Sequence, residues 1–146
     1  MVCCMEPLPN SWKKLQAVQN SAARLVSRTE KFDCGRTAIR KDLHWLPVEY
    51  RIPYKILLIT YKALNGLAPD YIVDLIKKKP TWGLRSDKMS LLVLPKPKQK
   101  TFGERSFMYV APFLWNSLPL SIRLSPSVDI FKGRLKALFY DQAFPG

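Results

Sequence analysis

The sequence predicts a mainly α-helical chain, and three observations carry that prediction. Apolar residues recur at three- and four-residue spacing after Asn10, Pro47 and Ser127. Pro47, Gly66 and Pro69 fall where helices start and stop. Only "LLVL", residues 91–94, reads as a strand. The expected architecture is a helical N-terminal half, a small β-hairpin-like element near Leu91–Thr101, and a C-terminal amphipathic helix.

The first helix is expected from a cap at Asn10 or Ser11 to about Thr29. Leu15, Val18, Ala22, Leu25 and Val26 form its apolar face, while Lys13, Lys14, Arg24 and Arg28 fall largely elsewhere. A shorter helix spans Thr37 to Leu43. Pro47 then suits the first turn of a third helix, where its missing N–H is no loss. Val48, Ile52, Ile56, Ile59 and Ala63 make the expected core stripe, and Gly66 a left-handed stop. Pro53 is expected to kink this helix or delay its start. Pro69 opens a short helix with Tyr71, Ile72, Leu75 and Ile76 inward. Past Pro80 the chain turns loop-like, then "ERSFMYVAPFLWNSLP" holds a helix interrupted near Pro112. The last helix follows Ser127, with Val128, Phe131, Leu135, Leu138 and Phe139 on one face. Two segments are expected, 1–79 helical and 80–146 basic and extended before its helices, packed as one domain.

Composition limits what such a chain can do. Of 146 residues, 47% are hydrophobic, enough for a real core and too many for a disordered chain. The 24 Lys and Arg outnumber 11 Asp and Glu, leaving +13 at pH 7. That excess is spread along the chain rather than held in one tail, and it favours polyanionic partners. Cys3, Cys4 and Cys34 have no metal-ligand spacing, and adjacent Cys3 and Cys4 strain against bridging, so a reducing, intracellular setting is expected, nucleus or cytoplasm alike. No secretory leader is visible. The apolar run "ILLITY" lies between Lys55 and Lys62, far short of the ~20 residues a membrane span needs. Proline interrupts the longer run 106–122. No membrane partner is expected.

Catalytic constellations are missing. His44 is the single histidine, so triads and His-based metal clusters lack partners; beside Trp45 it reads as structural. No phosphate-cradling Gly loop or nucleophile elbow occurs. Asp70 and Asp74 lie one helical turn apart, but Asp70 in a first turn is better explained by the helix dipole than by a metal. Neither a catalytic residue, a metal site nor a cofactor is assigned.

Nucleic-acid contact has better support. In "LPKPKQKTFGER", Lys96, Lys98 and Lys100 alternate. On an extended backbone they share one side about 6.6 Å apart, close to two phosphate steps along one strand. Polyproline II geometry would instead splay them around three sides. Phe102 can stack on a base and Arg105 can pair with phosphate. A second cluster comprises Lys77, Lys78, Lys79, Trp82 and Arg85, for which a solvated helix end is the plainer alternative.

The stretches "LQAVQNSAARLVSRT", "LHWLPVEYRIPYKILLITYKALNGLAPDYIVDLI", "LRS", "KTFGERSF", "APFLWNSLPLSIR" and "FKGRLKALF" follow one another in this order. Together they resemble the C-terminal region, downstream of the reverse transcriptase palm, of non-LTR, LINE-type, jockey-like retrotransposon polyproteins. The resemblance runs from about Leu8 to Phe144. It implies a mobile-element origin, with an RNA-directed DNA polymerase as the parent enzyme. That polymerase needs a Tyr-x-Asp-Asp box to hold two metal ions. The chain has no adjacent Asp pair, so no catalytic residue carries over. The expectation is a detached C-terminal fragment lacking the palm and endonuclease, not an enzyme on its own, with residual non-specific binding to RNA or DNA backbones. Expected partners are nucleic acid and, through surfaces that would face the rest of the polyprotein, itself or an element-encoded polymerase. The alternatives are a helical protein-interaction or self-association module, or a non-functional relic of the element.

Overall fold

The computed structural model describes residues 9–28, 36–78, 90–95 and 106–145. They are mainly helical, as expected: α1 Pro9–Ser27, α2 Arg36–Asp42, α3 Val48–Leu64, α4 Asp70–Val73, α5 Phe107–Ser117, α6 Leu120–Arg123 and α7 Val128–Ala143. No strand forms among the described residues. In place of a hairpin there is an isolated antiparallel bridge between Lys78 and Leu92, and residues 96–101 of the expected β element lie outside the described residues. Cys3, Cys4, Cys34 and Thr29 also lie outside them. Two compact units arise, one from Met1–Ile52 with Ala137–Gly146, the other from Pro53–Lys136.

In the first unit, helix α1 starts at Pro9, ahead of Asn10 and Ser11, because proline is well suited to a first turn. Its orientation departs from the expected one. Leu15, Val18, Leu25 and Val26 are 53, 68, 81 and 60% exposed, while Ala23 and Gln19 are buried. Hydrogen bonding explains the rotation. Gln19 Nε2 donates to Leu46 O at 2.7 Å, and Gln16 Oε1 accepts from Val48 N–H at 3.0 Å. That amide is an orphan donor at the start of α3, so Gln16 caps a neighbouring helix. Gln16 Nε2 also donates to Gln19 Oε1 at 3.0 Å, which satisfies both amides. The polar Gln16–Gln19 face packs, and the apolar stripe is left outside.

Helix α2 ends in a Schellman arrangement. Trp45 N–H donates to Arg40 O at 2.9 Å and His44 N–H to Lys41 O at 3.0 Å, with His44 left-handed at φ 51°. The His44 ring stacks on Tyr140 at 5.5 Å, and Tyr140 Oη donates to Lys41 O at 2.9 Å. Here His44 holds a helix end, and its place is structural.

In the second unit the buried face of α3 consists of Pro53, Leu57, Thr60, Tyr61 and Ala63. The stripe expected from spacing is correct at Ala63 only. Val48, Ile52 and Ile56 are half-buried and Ile59 is 36% exposed. The middle of α3 is apolar nearly all round, so spacing alone does not choose a face. Tyr61 supplies the choice: its ring stacks on Phe131 at 4.3 Å and lies 6.4 Å from Trp115. Its hydroxyl donates to buried Ser125 O at 2.6 Å. Pro53 neither delays nor ends the helix, which runs from Val48 to Leu64 with the proline ring fully buried. Gly66, at φ 69°, closes it as expected: Leu67 N–H donates to Lys62 O at 2.8 Å and Gly66 N–H to Ala63 O at 3.4 Å.

Pro69 caps α4, as expected, but Tyr71 is 69% exposed and only Ile76 of the four expected inward residues is buried. A four-residue helix turns too little surface inward to bury all of them. Pro112 lies inside an unbroken α5 rather than interrupting it; the buried ring replaces a lost hydrogen bond with apolar contact. The face expected for α7 is correct. Phe131, Leu135 and Phe139 are buried, Val128 and Leu138 half-buried, and Ser127 Oγ accepts from Ile130 N–H at 3.3 Å at its start.

Candidate nucleic-acid interface

Of the ten residues singled out for nucleic-acid contact, Lys77 and Lys78 are described, and both are exposed. Lys79, Trp82, Arg85, Lys96, Lys98, Lys100, Phe102 and Arg105 lie outside the described residues. What the structure gives is the platform from which both clusters leave.

That platform is a short extended pairing seated on α5. Val93 N–H donates to Lys77 O at 2.8 Å, beside the Lys78–Leu92 bridge. Successive residues of an extended chain point their backbone groups to opposite edges. Leu92 therefore turns its own N–H and C=O away from Lys77. Asn116 takes both: Leu92 N–H donates to Asn116 Oδ1 at 2.9 Å, and Asn116 Nδ2 donates to Leu92 O at 3.0 Å. One side-chain amide thus substitutes for a third strand. The Leu92 side chain is 0% exposed, and Trp115 Nε1 donates to Ser90 O at 2.8 Å. Full burial of a leucine contributes roughly 1.5–3 kcal/mol, so the segment is anchored by packing as well as by hydrogen bonds.

Electrostatically the platform is open. Neither Lys77 nor Lys78 pairs with a described carboxylate, and an ion pair between described residues joins Lys132 to Asp129 at 3.0 Å on α7. Among the described residues, nothing neutralises Lys77 or Lys78. Asp70 and Asp74 bracket α4, and no group of three potential metal ligands occurs among the described residues. No helix among them is long and apolar enough to cross a membrane.

The first unit carries a feature that sequence reasoning missed. A cleft of about 330 Å³ is lined by residues including Trp12, Lys13, Thr37, Arg40 and Glu49. Burial lowers the Arg40 pKa, with the Glu49 charge opposing the shift, and Arg40 Nε has no hydrogen-bond partner among the described residues. No sequence motif signals this cleft, because its residues come from α1, α2, α3 and the C-terminal end of α7.

No family model matches the chain, and neither does any curated protein or any solved structure.

Proposed function

We propose that this chain grips nucleic-acid backbones, as a post-palm C-terminal segment of a LINE-type reverse transcriptase would, and contributes contact rather than chemistry. The observation that carries the reading is the anchored platform: Lys77 and Lys78, exposed and with no ion pair among the described residues, sit on a segment paired with the one that Asn116 holds. The chain runs directly from it into Lys79 on one side and Lys96 on the other. A net charge of +13 adds long-range attraction to phosphate. The polyprotein origin rests on the ordered sequence stretches alone, and the site of action that goes with it is inside the cell.

Fluorescence anisotropy tests the reading with labelled RNA–DNA hybrid, duplex DNA and single strands, each at two salt concentrations. A circular-dichroism melt of the same sample establishes folding. The expected result is binding that weakens steeply with salt, since each neutralised phosphate on duplex DNA adds about −0.9 to the log–log slope. Cooperatively folded protein that binds none of these probes at low salt overturns it.

A further inference from the structure

The apolar stripe on α1 has no partner in the account given so far. Leu15, Val18, Leu25 and Val26 are each more than half exposed. Together they form a patch on the order of a few hundred Å², comparable to the largest apolar patch on a typical monomer, which is often functional. The patch is not a simple ridge. Leu15, Val18 and Ala22 share a groove of about 430 Å³ with Trp45 and Val48, and Arg51 stands at its α3 edge. Along the stripe, Leu15 to Val26 covers about 16 Å of helix axis, or three turns.

Charge identifies the occupant. Helix α1 has no carboxylate anywhere along Pro9–Ser27. The helical period of 100° per residue puts Lys14 next to Leu25 and Val18 on the edge away from α3, and this cation is exposed. Exposed Arg51 borders the other edge. The groove is therefore apolar along its floor and cationic on both sides. A second copy would set these cations against their equivalents, in a chain already carrying +13. A lipid surface favours a convex apolar face, whereas this one is concave where α1 meets Trp45 and Val48. We infer that the groove receives an amphipathic helix of another protein, with apolar anchors at i, i+3 or i+4, and i+7, and with Asp or Glu on both flanks. Helix-in-groove recognition supplies the apolar contact, and the flanking charges select the partner and its direction.

The test uses three fluorescein-labelled helical peptides of about 18 residues. They share one leucine spacing and differ in carrying Glu flanks, Lys flanks or a scrambled order. Anisotropy against the full chain should show the Glu-flanked peptide binding at least tenfold tighter than the other two. Leu25→Asp should weaken that binding tenfold or more, and Lys14→Glu with Arg51→Glu should reverse the preference toward the Lys-flanked peptide. Leu25 is 81% exposed, so the variant should melt like the parent, and Val18→Ser provides a second variant should it not. Equal binding of the Glu- and Lys-flanked peptides overturns the inference, as does binding unchanged by Leu25→Asp and Val18→Ser. Two other results also overturn it: sedimentation as a dimer that Leu25→Asp dissolves, or co-sedimentation with phosphatidylserine–phosphatidylcholine vesicles that the Glu-flanked peptide fails to displace.

Discussion

Replacing Asn116 with alanine removes both partners of Leu92 in a single step. The parent pairs Leu92 N–H with Asn116 Oδ1 at 2.9 Å and Leu92 O with Asn116 Nδ2 at 3.0 Å. A buried backbone group left without a partner costs about 1–3 kcal/mol, so two such groups set an upper range of about 2–6 kcal/mol. Water entering the vacated space recovers part of that, and alanine is the better helix former by roughly half a kcal/mol. The expected loss is therefore about 2–4 kcal/mol, a large share of the roughly 5–15 kcal/mol that stabilises a domain. Urea unfolding followed by circular dichroism reads it directly. With a slope of about 2 kcal/mol per molar, unchanged by the mutation, the midpoint should fall by roughly 1–2 M. Ser117→Ala, at an exposed neighbour, should stay within about 0.5 kcal/mol of the parent. Asn116→Ala with a midpoint equal to that of Ser117→Ala would refute the clamp. Asn116→Asp separates geometry from charge: it keeps an acceptor for Leu92 N–H but sets a carboxylate against Leu92 O, and should be as harmful as alanine.

Other changes test the remaining supports. Tyr61→Phe keeps the stack on Phe131 but strands Ser125 O, and should lower stability by about 1–3 kcal/mol in the same urea assay. Two glycine substitutions should act in opposite directions. Gly66→Ala meets no atom but forces a side chain into a left-handed backbone, a loss of about 1–2 kcal/mol. Gly133→Ala, in an exposed helix interior with open space, should gain about 0.5–1 kcal/mol. Burial, reinforced by the Glu49 charge, raises the Tyr50 pKa. The neutral phenol is thus favoured by folding. Its contribution is intact below the unfolded tyrosine value near 10 and is lost as pH rises through the higher folded value. Tyr50→Phe should therefore show a smaller fall in melting temperature between pH 9 and 11 than the parent; an equal fall contradicts that assignment.

How far the fold was legible varies with the element. Helix ends were readable because local chemistry decides them: Gly66 and Ser127 act where their residue types predict. Faces were less so. On α1 the three-and-four spacing chose Leu15, Val18, Leu25 and Val26, yet Gln16 and Gln19 turned the other side inward by meeting backbone groups at Leu46 and Val48. Those partners lie some thirty residues away, beyond the reach of any periodicity. The position of Tyr61 likewise depends on Ser125 and Phe131, which are remote in sequence. As for the candidate interface, the lysines of its two clusters stood out by spacing, whereas Asn116 did not. An asparagine near a helix end reads as a cap or a turn residue, and nothing local points to Leu92.

The most direct test of the proposed grip is the salt dependence of affinity for a labelled RNA–DNA hybrid. It compares the parent with a variant carrying Lys77→Ala, Lys78→Ala, Lys96→Ala, Lys98→Ala and Lys100→Ala. If all five lysines neutralise phosphates, the log–log slope should flatten by roughly four units, with the variant's melting curve unchanged. A variant that stays folded and keeps the parent's slope would show that these lysines do not touch the backbone, and would contradict the central claim.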